Sequence, residues 1–158
     1  MFLPISLLIY YISPKKFRNC ILFVVSLIFY AWGEPIYIFL MIATIVFDYF
    51  MALKIDKYKS KPKKSKLLFI FTIIVNISIL VFFKYIGFIL GNINNILSLN
   101  ISFDELALPV GISFYTFQVL SYIVDVYLER VNVQRNFISF GTYVTMFPQL
   151  IAGPIVQY

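Results

Sequence analysis

The chain has 158 residues, of which 61% are hydrophobic and 20% aromatic, and its 13 basic and 7 acidic residues give a net charge of +6. A soluble domain of this length could not cover so much apolar surface, so the composition indicates an integral membrane protein. The basic residues cluster between apolar runs instead of spreading over one face. This pattern is typical of loops between membrane segments and excludes nucleic acid as the partner that explains the charge.

Apolar runs divide the chain into about five transmembrane or shallow helices. The first two runs, 2–12 and 17–32, are shorter than the roughly 20 residues that a membrane span needs, so tilted or shallow segments are expected there. Longer runs follow at 36–53, 67–90 and 108–128. The predicted fold class is therefore all-α, a polytopic integral membrane protein in which residues 1–158 form a single membrane-embedded region.

Two polar segments set the predicted orientation. Residues 54–66, KIDKYKSKPKKSK, contain seven lysines, and residues 91–107 carry asparagines and acidic residues. When the sides of the membrane alternate, 12 of the 13 basic residues fall on the side of 54–66, and Lys84 is the exception. Because loops rich in Lys and Arg stay in the cytoplasm, 54–66 is predicted to be a cytoplasmic loop and 91–107 an extracytoplasmic loop. The protein is thus predicted to be a multi-pass protein of the cytoplasmic membrane with its N-terminus outside the cytoplasm.

Aromatic residues near the sequence WGEP agree with this orientation. Tyr30, Trp32 and Tyr37 flank the predicted outer turn. Trp and Tyr are enriched where a membrane meets water. These three residues are therefore predicted to lie in an interfacial belt.

The run LPVGISFYTFQVLSYIVDVYL, residues 108–128, carries a polar stripe. At about 100° per residue, five residues fall within roughly 80° of one another on the helix: Gly111, Tyr115, Gln118, Tyr122 and Asp125. Their polar groups would lack partners in lipid, so the stripe is predicted to face protein or water. Two interpretations stay open: a hydrogen-bonded helix–helix interface, with Gly111 allowing close approach, or the wall of a polar cavity.

Three ionisable or amide side chains inside apolar runs also need partners. Asp48 and Asp125 each precede a basic cluster, so Lys54 and Arg130 are their predicted partners near the membrane surface. Asn76 is predicted to form a hydrogen bond with a neighbouring helix.

The C-terminal part combines a short apolar helix with a broken segment. The eleven residues 137–147 are too few to cross a bilayer and predict a shallow or interfacial helix. Its apolar face consists of Phe137, Phe140, Val144 and Phe147. Pro148 and the pair Gly153-Pro154 then prevent a continuous helix. Broken backbone is stable in a membrane only where protein or water satisfies it, so a re-entrant or interfacial segment buried by later helices is predicted.

Three stretches resemble the membrane-bound O-acyltransferases, in particular the bacterial branch similar to alginate O-acetyltransferase. They are FLPISLLIYYISPKKFRNCILFVVSLIFYAWGEP at 2–35, LPVGISFYTFQVLSYIVDVY at 108–127 and FPQLIAGPIVQY at 147–158. The resemblance covers essentially the whole chain and implies the N-terminal portion of a larger multi-helix enzyme. Such an enzyme moves an acyl group, often acetyl, from a cytoplasmic donor to hydroxyls of an extracellular polysaccharide or cell-wall glycan.

The resemblance also implies where the chemistry lies. The family uses an essential histidine in its C-terminal part, and imidazole suits proton transfer from an attacking hydroxyl. This chain contains no histidine, so no catalytic residue is assigned and the chain alone is predicted to be inactive. The candidates for lining the cavity are Gln118, Tyr122, Asp125 and Gln149. Acetyl-CoA or an acyl carrier is the implied donor, without a bound cofactor or metal.

Other functions stay open. D-alanyl transfer to teichoic acid is the chemistry of a related branch, and a non-catalytic membrane scaffold or partner subunit would also lack histidine. A small transporter is disfavoured because the sequence shows no internal repeat. The expected partners are the lipid bilayer, the remaining helices of the enzyme, and periplasmic or extracellular acetylation proteins.

Overall fold

The computed structural model describes residues 6, 10–14, 17–97 and 109–146, with side chains of 90–97 described only at Asn92. Over these residues the regular structure is entirely helical, which confirms the predicted all-α class. The helices are α1 (Arg18–Gly33), α2 (Tyr37–Lys57), α3 (Pro62–Leu97), α4 (Ile112–Tyr127) and α5 (Phe137–Thr145). Residues 10–12 are also helical.

Two helices are long and apolar enough to cross a membrane. They are α2, with 21 residues, and the part of α3 from Pro62 to Ile89, with 28 residues. At about 1.5 Å per residue these segments measure roughly 30 and 40 Å, against about 30 Å for the hydrocarbon core of a bilayer. Large apolar side chains on α3 are exposed, among them Phe71, Ile74, Phe82 and Phe88. Both observations indicate a membrane protein.

The lysine-rich segment is mostly helical, which corrects the predicted loop at 54–66. α2 continues through Lys57 and α3 begins at Pro62, so that only 58–61 form a turn. Lysine is a good helix former, and basic side chains in a last turn interact favourably with the helix dipole. Proline also fits a first helical position, where its missing N–H costs nothing.

The far end of α3 corrects a second boundary. Residues 91–97 are helical, although the sequence placed them in an extracytoplasmic loop at 91–107. The asparagines there predicted a loop, but each residue added to an existing helix gains a backbone hydrogen bond at small entropic cost. Residues 98–107 lie outside the described residues.

The start of α4 is set by two residues within the apolar run at 108–128. Pro109 accepts a turn hydrogen bond from the Ile112 N–H at 3.2 Å, and Gly111 has a left-handed φ of 75°. This conformation costs residues with a Cβ about 1–2 kcal/mol. Gly111 therefore shapes the helix start, a different role from the predicted close approach between helices.

The short helix α5 is packed on several sides. It lies chiefly against α1 and also contacts α2 and α4. Phe140, Val144 and Thr145 are fully buried, and Thr142 is 6% exposed. This burial corrects the one-sided packing predicted for 137–147, because the side with the threonines is buried as well as the apolar side. The shallow or interfacial position of the helix stays a prediction. Residues 147–158, with Gln149 and the predicted re-entrant segment, lie outside the described residues.

The core lies where α2, α4 and α5 meet. Its largest fully buried side chains include Met41 and Ile45 of α2, Tyr115, Val119 and Tyr122 of α4, and Phe140 of α5. Because α4 also packs on α3, its polar stripe lies in the middle of the described bundle.

Candidate functional site

The polar stripe of α4 faces protein. Tyr115 and Tyr122 are 1% exposed, Gln118 is 4% exposed, and the Asp125 side chain is 14% exposed. The neighbours of this helix are α2, α3 and α5. The prediction that the stripe turns away from lipid is therefore confirmed.

Gln118 joins α4 to α5. Its Nε2 donates a hydrogen bond to the backbone carbonyl of Tyr143 at 2.8 Å. A side-chain amide that reaches across to another helix is typical of membrane bundles, where hydrogen bonds of this kind fix how two helices pack. This contact agrees with the interpretation of the stripe as a helix–helix interface.

Tyr122 joins α4 to the non-helical segment 131–136. The backbone N–H of Gln134 donates to the Tyr122 hydroxyl at 2.8 Å. A second tyrosine, Tyr49 of α2, donates its hydroxyl proton to the carbonyl of Arg135. Backbone N–H and C=O groups outside helices have no helical hydrogen bonds and need other partners. The two tyrosine hydroxyls are such partners for the Gln134 N–H and the Arg135 carbonyl. These two bonds fix the segment, and with it the start of α5, relative to α4 and α2.

Asp125 pairs with Arg130, as predicted, with 3.8 Å between Oδ1 and an Arg130 nitrogen. The pairing follows from the end of α4, where Glu129 adopts a left-handed φ of 57°. The Glu129 N–H donates to the Val126 carbonyl at 3.2 Å and the Arg130 N–H to the Asp125 carbonyl at 2.9 Å. These two bonds form a Schellman cap, which turns Arg130 back toward the helix. The Arg130 side chain is 68% exposed, so water screens the pair.

A second ion pair of the described residues lies in the turn between α2 and α3. Lys59 Nζ is 2.8 Å from Asp56 Oδ1, and this hydrogen bond raises the pKa of the Lys59 ammonium. Both pairs are at helix ends. This placement is expected where an unpaired charge inside a membrane is costly.

The most deeply buried polar pair joins α2 to α3. Asp48 is 0% and Asn76 1% exposed, and Asn76 Nδ2 donates to Asp48 Oδ1 at 2.7 Å. The predicted interhelical hydrogen bond of Asn76 is therefore confirmed. The predicted pairing of Asp48 with Lys54 is wrong, because residues six apart on a helix point about 120° away from each other and Lys54 is exposed.

Three further buried hydroxyls lie on α1 and α4. Ser26 Oγ, Tyr30 Oη and Tyr115 Oη have no hydrogen-bond partner among the described residues. The prediction of Tyr30 as an interfacial belt residue is wrong, since Tyr30 is 5% exposed whereas Trp32 is 91% exposed. The sequence did hold a signal for this face of α1, because residues 26 and 30 are one helical turn apart. These hydroxyls can donate hydrogen bonds to a polar group of a substrate.

The arrangement offers buried hydroxyl groups as hydrogen-bond donors. Within the described part of the chain, no group of three His, Cys, Asp or Glu side chains could hold a metal ion. The structure brings Gln118, Tyr122 and Asp125 together on one helix, and Gln149 lies outside the described residues. That these four residues line a cavity stays a prediction.

Helices that can cross a membrane, together with a buried polar stripe, define the class as an all-helical membrane protein. The chain is 38% identical over 162 residues to the probable alginate O-acetylase AlgI of Pseudomonas syringae pv. tomato. It is 35% identical over 165 residues to the protein of the same name from Pseudomonas aeruginosa. It is also 36% identical over 186 residues to the peptidoglycan O-acetyltransferase of Helicobacter pylori.

These similarities confirm the resemblance to the alginate O-acetyltransferase branch of the membrane-bound O-acyltransferases. The matches cover 100%, 100% and 99% of this chain. They cover 31%, 31% and 35% of the three relatives, so the chain spans about a third of their length. No protein-family model matches the chain, and no solved structure matches it.

Proposed function

We propose that the chain is part of a membrane-bound O-acyltransferase that moves an acetyl group from a cytoplasmic donor to hydroxyls of an extracellular polysaccharide or cell-wall glycan. The observation that carries the proposal is 38% identity, over the whole chain, to a protein named as an alginate O-acetylase. A peptidoglycan O-acetyltransferase is 36% identical. Since both relatives are named for acetylating a glycan, a glycan hydroxyl is the proposed acceptor. Acetyl-CoA or an acyl carrier is the proposed donor.

The proposed topology has about five spans or shallow helices, followed by a re-entrant segment at 147–158. Its N-terminus is outside the cytoplasm, and the turn at 58–61 is inside. The apolar lengths of α2 and α3 support two of these spans. The lysines on both sides of the turn support its cytoplasmic side.

In the proposed enzyme this chain supplies one wall of the acyl-transfer cavity. Gln118, Tyr122, Asp125 and Gln149 are the proposed lining, and the buried hydroxyls of α1 and α4 support a site for a polar acceptor. The chain has no histidine. The proton-accepting imidazole that the resemblance implies must therefore come from outside these 158 residues, and the chain alone is proposed to be inactive.

A chimera tests this function. The present chain replaces the matching third of the Pseudomonas syringae relative, and membranes containing the chimera receive labelled acetyl-CoA and alginate. Alkali-labile label on the polymer is the expected result. The control is the relative with the same third deleted, which is expected to transfer nothing. A chimera that inserts into the membrane without transferring acetyl groups would contradict the proposal.

Absence of histidine from the sequence also favours a second candidate, a non-catalytic scaffold or partner subunit. A scaffold would co-purify with a separate acetyltransferase and would leave the chimera inactive. D-alanyl transfer to teichoic acid is distinguished in the same membranes, by offering a D-alanyl donor and teichoic acid instead of acetyl-CoA and alginate.

A further inference from the structure

The pair formed by Asp48 and Asn76 leaves two oxygen atoms without a partner among the described residues. The Asn76 Nδ2 donates to Asp48 Oδ1 at 2.7 Å, and also to the Thr72 carbonyl at 3.0 Å. The second oxygen of Asp48, Oδ2, and the amide oxygen of Asn76, Oδ1, accept no hydrogen bond from the described residues. Buried acceptors without a donor are costly, and more so when they carry charge.

A proton shared between Asp48 Oδ2 and Asn76 Oδ1 would satisfy both atoms. An ionised carboxylate is an acceptor only, so it cannot donate to the Asn76 oxygen. A neutral carboxyl group has one O–H donor, and its planar shape matches that of a carboxamide. With the amide N–H donating to one carboxyl oxygen and the carboxyl O–H donating to the amide oxygen, the two side chains form a ring with two hydrogen bonds.

Among the described residues, no ion pair supplies Asp48 with a positive charge that would favour the ionised form. The two ion pairs of the described residues, Lys59–Asp56 and Arg130–Asp125, are at helix ends and do not include Asp48. The ionisable side chains on α2 and on the elements that pack against it are Arg18, Cys20, Tyr30, Tyr37, Tyr49, Lys54, Asp56, Lys57, Lys63, Lys64, Lys66, Lys84, Tyr85, Tyr115, Tyr122, Asp125, Tyr127 and Tyr143. All the lysines among them are exposed.

We propose that Asp48 and Asn76 form a buried proton-binding site, in which a proton on Asp48 Oδ2 is donated to Asn76 Oδ1 and joins α2 to α3. When the two helices assemble, hydronium of the solvent transfers the proton to Asp48: one O–H bond of hydronium breaks, one O–H bond forms on Oδ2, and water is left. A small cation between the same two oxygens would be the competing occupant, and it would require an ionised Asp48.

Infrared difference spectroscopy of the full chain in lipid nanodiscs separates these states. The wild-type spectrum at neutral pH is expected to contain one C=O stretching band of a protonated carboxylic acid that the Asp48→Asn spectrum lacks. This band should remain when the second spectrum is subtracted from the first. Loss of carboxylate stretching bands instead would overturn the proposal, and so would an acid band that appears only when sodium is removed. Asp125→Asn is the matched control, since Asp125 pairs with Arg130 and its removal should delete carboxylate bands.

Stability adds a second measurement. Asp48→Asn can rebuild the ring through two amide hydrogen bonds, so its melting temperature should stay near that of the wild type. Asn76→Leu should lower the melting temperature clearly and shift the acid band, because the acceptor is gone. If Asp48→Asn does not fold, wild-type protein with carbon-13 in its aspartate carboxyls serves instead. An isotope-shifted acid band at neutral pH then supports the site, and its absence overturns it.

Discussion

Gly141 of α5 lies against the ring of Phe23 of α1, so close that a Cβ at position 141 would be 2.5 Å from Phe23 Cε2 and 2.9 Å from Cζ. Carbon atoms in favourable contact are about 3.5–4 Å apart. The same ring meets Phe137 edge-on, with 6.2 Å between the ring centres. Absence of a side chain at 141 therefore determines how closely α5 approaches α1.

Gly141→Ala is expected to destabilise the protein by about 1–3 kcal/mol, the usual cost of overpacking. The measurement is thermal or denaturant unfolding in detergent. Gly87→Ala is the matched control, because nothing lies within 4 Å of a Cβ at that position of α3. In a Phe23→Ala background the ring that the new methyl group would meet is absent. Adding Gly141→Ala to Phe23→Ala should therefore lower the unfolding free energy much less than adding it to the wild type. Equal effects at 141 and 87 would contradict the close contact.

Glu129 occupies the left-handed position of the cap that ends α4, where glycine is the usual residue. Glu129→Gly is expected to stabilise the protein by up to about 1 kcal/mol, because glycine adopts this conformation without steric cost. The matched control is Glu129→Ala, which removes the same carboxylate and keeps the backbone strain. If both variants change the unfolding free energy equally, the side chain and not the conformation is responsible.

The Tyr122 hydroxyl accepts the hydrogen bond from the Gln134 N–H. Tyr122→Phe keeps the ring and removes this acceptor, so a loss of about 1–2 kcal/mol is expected for the part-buried donor left behind. Faster hydrogen exchange at the Gln134 amide should accompany the loss. Tyr127→Phe is the control, because its ring stacks on Phe69 with 4.2 Å between centres and keeps that contact. An unchanged exchange rate at Gln134 would count against the assigned bond.

Asn136 caps α5, and its Oδ1 accepts from the N–H groups of Ile138 and Ser139 at 2.9 and 3.3 Å. Asn136→Ala is expected to cost about 0.5–2 kcal/mol, whereas Asn136→Asp and Asn136→Ser should retain most of the cap. Hydrogen exchange at residues 138 and 139 reports the loss locally. A destabilisation that Asp and Ser share with Ala would show that the cap is not its cause.

The proposed topology places the two ends of α3 on opposite sides of the membrane. In a Cys20→Ala background, Lys61→Cys should react with a membrane-impermeant maleimide only after the cytoplasmic side is opened. Asn92→Cys, about 45 Å farther along the helix at 1.5 Å per residue, should react in intact cells. Labelling of both positions from the same side would contradict the orientation.

The sequence predicted those features that depend on periodicity and solvation. The direction of the α4 stripe followed from residue spacing and from the cost of polar groups in lipid, and an interhelical hydrogen bond of Asn76 followed from its apolar surroundings. The partner of Asp48 could not be predicted, because it depends on which faces of α2 and α3 meet. The burial of Tyr30 could not be predicted for a similar reason. Composition does not distinguish an aromatic residue at a membrane surface from one inside a helix bundle.

Four residues, 58–61, separate α2 from α3, and the hydrogen bond between Asp48 and Asn76 joins the same two helices. The ribosome synthesises α2 before α3. If α2 entered the membrane alone, Asp48 would be in hydrocarbon before its partner Asn76 had been synthesised. Transfer of both helices together, as one helical hairpin, removes that intermediate. In the proposed topology, α2 and α3 are therefore expected to enter the bilayer as one hairpin.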